Sequence, residues 1–175
     1  MVDSKILFKK ADKLVQAHGT RNPIQIAEDS GIQVFSVDYF KTLLGMYVCQ
    51  KRVRSIFLNN KMDEYLTFVV AAHELGHDSC HRELAVQRGF KEFEMFDMRR
   101  GIAEYEANAF AAHLLLDTDE CVELFRNGYD IGAVSKIMNT GINLMLIKCH
   151  ELIKLGYDLR MPMDVHGDFL KKIKI

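Results

Sequence analysis

The strongest chemical signal in the sequence is the run His73-Glu74-Leu75-Gly76-His77. In a helix, residues i and i+4 lie on one face about one turn apart, so both imidazoles reach a common ion. Zinc accepts neutral imidazole nitrogen at about 2.0–2.1 Å. Glu74 sits about 100° around the helix from His73, off the metal face but beside a water that the ion would hold. Such a water loses a proton near neutral pH, and a neighbouring carboxylate serves as general base. The bland alternative is a polar helix face that happens to carry two histidines. The surrounding Leu66, Val69 and Val70 argue against it, because uncompensated imidazoles and a carboxylate are costly to bury in apolar company.

A catalytic site of this kind needs a third protein ligand and one open position. The extended pattern HExxHxxGxxH is ruled out, since Cys80 stands at its glycine position and Glu83 at its third histidine. A glutamate on a second helix is the other solution. Glu104-Tyr105-Glu106-Ala107-Asn108 opens an Ala- and Leu-rich helical stretch. Glu104 is the expected ligand, and Asn108, one turn on, the expected hydrogen-bond partner that sets the tautomer of a ligand histidine. Glu106 is the rival ligand, but it points away from the Asn108 face. A solvated charge favoured at a helix start is the alternative for Glu104.

The elements that must position these residues follow from periodicity. Residues 4–18 read as an amphipathic helix ended by His18-Gly19. Asn22 caps a short helix that opens on Pro23 and stops at Gly31. Three β-rich runs follow: Ile32–Phe35, Met46–Cys49 and Val53–Leu58, the last two as a hairpin. Helical spacing returns after Met62, with Asp63 as a start signal, and carries His73, His77 and Cys80. Residues 82–99 read as an exposed loop with local helix. Helices are then expected over 101–116, 118–127, 131–139 and 142–155; the tail 160–175 gives no clear signal. Helices, a small sheet and helices again predict an α+β fold. The sheet is expected to be small, three-stranded and mostly antiparallel, packed on the HExxH helix. The whole of 1–175 is expected to form one domain, with 118–175 as a mainly helical C-terminal subregion.

Composition fits that reading. The chain has 175 residues, a formal net charge of -1 and 49% hydrophobic residues, values ordinary for a globular protein with a sizeable core. No broad basic face is indicated, so direct nucleic-acid binding is not expected. The rhythm of residues 131–155 suits a helix-turn-helix, but few basic residues lie there and ordinary helix packing is the better reading. No apolar run reaches the roughly 18 residues of a membrane span, and the N-terminus does not read as a signal peptide. The four cysteines are never closer than 28 positions, which excludes a zinc ribbon and suggests reduced thiols in a cytoplasmic protein. His81 reads as a partly exposed helix-end residue, His113 and His150 as packing or surface residues, and the methionines as core filler.

Taken together, HELGH over 73–77 and the run from Glu104 through Asn108, Phe110, Ala111 and His113 to Leu116 resemble the ImmA/IrrE family of metallo-endopeptidases. The likeness extends to Pro23-Ile24, Gly31-Ile32, Gly45-Met46-Tyr47 and Ser55–Asn59, and spans roughly residues 5–155. The resemblance implies a zincin-like fold of the gluzincin type, with His73, His77 and Glu104 as zinc ligands and Glu74 as base. It implies a cytoplasmic zinc endopeptidase acting on a DNA-binding, helix-turn-helix repressor, in phage, mobile-element or stress regulation. Two departures stand out. Leu116-Asp117 replaces the family's Met-Pro, and no repressor-like helix-turn-helix is expected ahead of the domain. Substrate is expected to lie along a sheet edge, the strand near 46–51, by β-augmentation. Tyr105 and His150 are candidate electrophilic donors. Two other readings remain: a regulator that binds a repressor or DNA without cleaving it, its metal structural, and a zinc hydrolase of non-peptide amides.

Overall fold

The computed structural model describes residues 3–88, 90–92 and 101–159. The tail 160–175 and residues 89 and 93–99 of the expected loop lie outside them.

Local signals account for most boundaries. Helix α1 (Ser4–His18) starts at Asp3, whose carboxylate accepts from the Lys5 amide, and ends at Gly19 in the left-handed region, φ 64°. There a residue without Cβ is favoured. Helix α2 (Pro23–Asp29) is capped by the Asn22 side chain, which accepts from the Ile24 and Gln25 amides. Strands β1 (Gln33–Val37), β2 (Gly45–Gln50) and β3 (Val53–Asn59) follow. The β2–β3 hairpin closes on Lys51 and Arg52, with φ 49° and 69°. Two consecutive positive φ values give the turn the twist a tight hairpin needs.

The α+β class is as expected; the sheet is mixed, with two of its three described pairings antiparallel, and it has four strands rather than three. Its order is β1-β3-β2-β4, with a fourth short strand, β4 (Phe90–Glu92). β1 pairs parallel to β3, from Gln33↔Ser55 to Val37↔Asn59. β2 pairs antiparallel with β3 on one side and, over Gly45–Tyr47, with β4 on the other. The edge expected near 46–51 is therefore covered by β4 over half its length, and β4 holds the outer position. The stretch 82–99, expected as an exposed loop with local helix, is helical as far as Arg88, where helix α3 (Glu64–Arg88) ends, and carries β4 over Phe90–Glu92.

One face of the sheet rests on α3. Tyr47 and Cys49 of β2 and Ile56 and Leu58 of β3 are buried. Helix α4 (Ile102–Leu115) packs along the other side of α3 and is itself flanked by α1 and by α7 (Ile142–Lys154). It is buried without a break from Glu106 to Leu114, as expected for a central helix that is apolar nearly all round. Helices α5 (Thr118–Arg126) and α6 (Ile131–Ile137) lead from α4 to α7. No described helix is long and apolar enough to cross a membrane.

The end of α4 gives Asp117 a local role, at the position where the resemblance leads to an expectation of proline. Its carboxylate accepts from the Glu120 amide as the cap of α5 and meets Arg21 at 2.5 Å. Arg21 also donates to the carbonyls of His113 and Leu114. A cation thus satisfies carbonyls that the helix leaves open at its C-terminus.

Candidate metal centre

The site lies where α3 and α4 touch. His73, His77 and Glu104 present one donor atom each, all within 4.8 Å of one another. The two Nε2 atoms are 3.0 Å apart. Glu104 Oε2 is 3.2 Å from Nε2 of His73 and 3.6 Å from Nε2 of His77. Donors bound tetrahedrally at about 2.0–2.1 Å stand about 3.3–3.4 Å apart, so these separations suit three corners of one coordination sphere.

The hydrogen bonds behind the rings point the same way. Asn108 Oδ1 lies 2.9 Å from His73 Nδ1. A carbonyl oxygen only accepts, so Nδ1 carries the proton and Nε2 turns a bare lone pair towards His77 and Glu104. His77 Nδ1 lies 3.1 Å from His81 Nδ1. Burial pushes the His77 imidazole down to about 3, against the pull of the Glu104 carboxylate. Burial also resists ionisation of Glu104, but its contacts with His73 and His77 outweigh it and hold the carboxyl below its usual range. Neutral imidazole facing carboxylate is the ligating form of both groups. Lone pairs and a negative charge converge here, and a divalent cation fits that donor set.

Two glycines set the spacing. A Cβ on Gly76 would lie 3.1 Å from both Cα and O of Ala107 and 3.2 Å from Phe110 Cδ1. The missing side chain lets α4 approach α3 closely, which brings Glu104 to the histidines. A Cβ on Gly45 would lie 2.5 Å from Val70 Cγ1 and 2.8 Å from Glu74 Oε1. Strand β2 therefore passes directly against the Glu74 carboxylate. Glu74 is fully buried and stands outside the metal-capable triad.

Further out, the sheet is tied to α3 through Asp78. It accepts from the Tyr47 hydroxyl at 2.6 Å, from Arg54 at 3.0 Å and from Arg82 at 2.9 Å. Burial, reinforced by Asp78, pushes the Tyr47 hydroxyl far above its ordinary pKa. This network fixes β2, and with it Gly45, over the helix.

Other residues singled out from the sequence fall in varied places. The Tyr105 hydroxyl donates to Glu151, accepts from Lys154 at 2.7 Å and lies 2.8 Å from His150 Nδ1. Tyr105 and His150 are thus engaged with α7. His113 is buried, with Nδ1 3.3 Å from the fully buried Lys148 amine, which also donates to Thr118 at 2.8 Å. His81, expected as a partly exposed helix-end residue, is buried at 7% exposure. It sits at a kink in α3, with φ −129° and ψ 21°. Glu106 turns away from the triad to His81 Nε2, 2.9 Å away. The spacing of His73, His77 and His81 held that alignment in outline, but the kink and the Glu106 contact are tertiary features that spacing does not carry.

With this geometry in hand, comparison with known proteins is direct. Residues 27–140 match the Peptidase_M78 family, described as the IrrE N-terminal-like domain. The chain belongs to this family. A relative in Bacillus phage phi105, named as an uncharacterized immunity region protein 2, is 32% identical over 122 residues, which cover 69% of this chain and 75% of the phage protein. No solved structure gives a significant match. The Peptidase_M78 match takes in β1 to α6 and so both helices of the metal-capable triad.

Proposed function

We propose that this protein is a zinc-dependent endopeptidase of the cytoplasm that cleaves a DNA-binding repressor-type regulatory protein. The observation that carries the reading is the convergence of His73, His77 and Glu104 from two helices, with Glu74 one residue from the first histidine. The family match supports peptidase chemistry, and the immunity-region relative supports a repressor-type substrate in phage or mobile-element regulation.

In this reading His73, His77 and Glu104 hold zinc, and Asn108 keeps His73 in the Nδ1-protonated tautomer. The ion supplies Lewis-acid polarisation of the peptide carbonyl and acidifies water. Glu74 accepts the proton of the attacking water and returns it to the departing amine. Packing against Gly45 holds its carboxylate against β2, and its burial strengthens electrostatic interactions within the site. A wholly structural site takes all four ligands from protein and has no use for a carboxylate in this position.

The test uses the zinc-loaded protein and Glu74→Gln, each incubated with candidate helix-turn-helix repressors, with and without chelator. The expected result is cleavage by the wild type alone, abolished by chelator, with equal zinc in both proteins. Turnover by Glu74→Gln would remove the proposed base. Intact repressor that co-purifies with the wild type would favour a binding regulator with a structural metal.

A further inference from the structure

The two candidate ligand histidines are held from behind in different ways. His73 meets a neutral amide, Asn108. His77 meets a second imidazole, and that imidazole meets a carboxylate. His77 Nδ1 is 3.1 Å from His81 Nδ1, and His81 Nε2 is 2.9 Å from Glu106 Oε2. All three side chains are 6% exposed or less.

Proton counting orders this chain. A carboxylate only accepts, so His81 Nε2 carries a proton and donates to Glu106. A His77 that turns its Nε2 lone pair to the metal carries its proton on Nδ1, and His81 Nδ1, 3.1 Å away, is the acceptor within reach. The kink makes the arrangement possible, since the backbone of His81 leaves helical geometry where its ring bridges α3 to α4. Glu106 lies two residues from Glu104, on the far side of α4, so one short segment supplies a carboxylate to each end of the relay.

Building on the metal-site reading above, we propose that His81 and Glu106 are positioning residues for the metal: they fix the tautomer and ring orientation of His77 and pass negative charge to it. A hydrogen-bonded carboxylate behind a ligand histidine raises its basicity, and removal of such a partner weakens metal binding by about 10–100-fold. The competing role for the pair is a simple tether between two helices. A tether changes stability and leaves the His77 tautomer alone.

The test is a zinc titration against a competing chelator, with wild type, His81→Ala, Glu106→Gln, His73→Ala and Glu104→Ala. Circular dichroism checks the fold of each apo-protein, and imidazole ¹⁵N shifts read the His77 tautomer. His81→Ala is expected to bind zinc about 10–100-fold more weakly and to shift apo His77 towards the Nε2-protonated form. Glu106→Gln keeps an acceptor for His81 and loses the charge, so about a tenfold loss is expected with the tautomer retained. Folded variants at both positions with wild-type zinc affinity and an unchanged tautomer would overturn the relay, as would a weaker site with an unchanged tautomer in His81→Ala. Should His81→Ala fail to fold, Glu106→Gln decides: a tenfold loss supports the relay and wild-type affinity overturns it. His73→Ala and Glu104→Ala separate the two levels. If they too bind zinc like the wild type, the metal site itself is wrong; if they alone lose it, only the relay is.

Discussion

Replacing Gly76 with alanine tests how closely the two helices of the site approach. The new Cβ would stand 3.1 Å from the Ala107 backbone and 3.2 Å from Phe110 Cδ1. Carbon atoms pack best at about 3.5–4.0 Å, so α4 must retreat by about 0.4 Å or more at Ala107. Ala107 is one turn beyond Glu104, whose Oε2 lies 3.2 Å and 3.6 Å from the imidazole nitrogens. Metal sites tolerate deviations of only about 0.2 Å, so the retreat is large on that scale. Two energies oppose each other in the apo-protein. Alanine gains about 1 kcal/mol of helix propensity over glycine, and overpacking costs about 1–3 kcal/mol. The net is a loss of about 0–2 kcal/mol, which lowers Tm by up to about 8 °C in a chain of this size. Zinc affinity should fall about tenfold, a change of about 1.4 kcal/mol. Differential scanning calorimetry of the apo-protein and a chelator-competition titration read the two effects. A Tm raised by the full propensity gain together with unchanged zinc affinity would refute the close approach.

Gly45→Ala places its Cβ against Val70 and Glu74 rather than against α4, so stability should drop by about 1–3 kcal/mol in urea melts with little loss of zinc affinity. A zinc defect as large as that of Gly76→Ala would contradict this division. Lys148 gives a pH dependence. Burial lowers its amine from 10.5 to about 8, so between those values the unfolded chain binds more protons and the lysine's contribution to stability improves as pH rises. Relative to Lys148→Met, the wild type should gain about 2 kcal/mol from pH 8 to pH 10. The comparison with the variant is needed because burial raises the Cys121 and Cys149 thiols to about 11 and 12, which acts in the opposite sense. Parallel urea curves for the two proteins at both pH values would show that Lys148 is not buried as a cation.

Much of the fold is legible residue by residue because its signals are local. Asp3, Asn22, Asp117 and Asp130 each accept from an amide in the first turn of the helix they start, and a side chain that does this marks a boundary without reference to the rest of the chain. The β2–β3 hairpin is equally local. Pairing of β1 with β3 is not: parallel strands meet through a long connection, and no periodicity records which partner is chosen. β4 is only three residues long, too short for alternation to show. The metal-capable triad is legible for the same reason as the helices. His73 and His77 share a face by spacing, and Glu104 opens the next strongly apolar helix. What the sequence withholds is the depth of the site. The kink at His81, the reach of Glu106 and the two glycines that admit neighbouring backbone arise from packing between elements.

The most direct measurement is the zinc stoichiometry of purified wild type beside Glu104→Ala, with fold and Tm checked in both. Glu104 comes from the second helix, so its loss removes one of three donors that meet within 4.8 Å. The wild type should retain one zinc ion per chain through gel filtration against a weak chelator, and the folded variant should lose it. Equal zinc in the two proteins would contradict the two-helix site and the peptidase chemistry built on it.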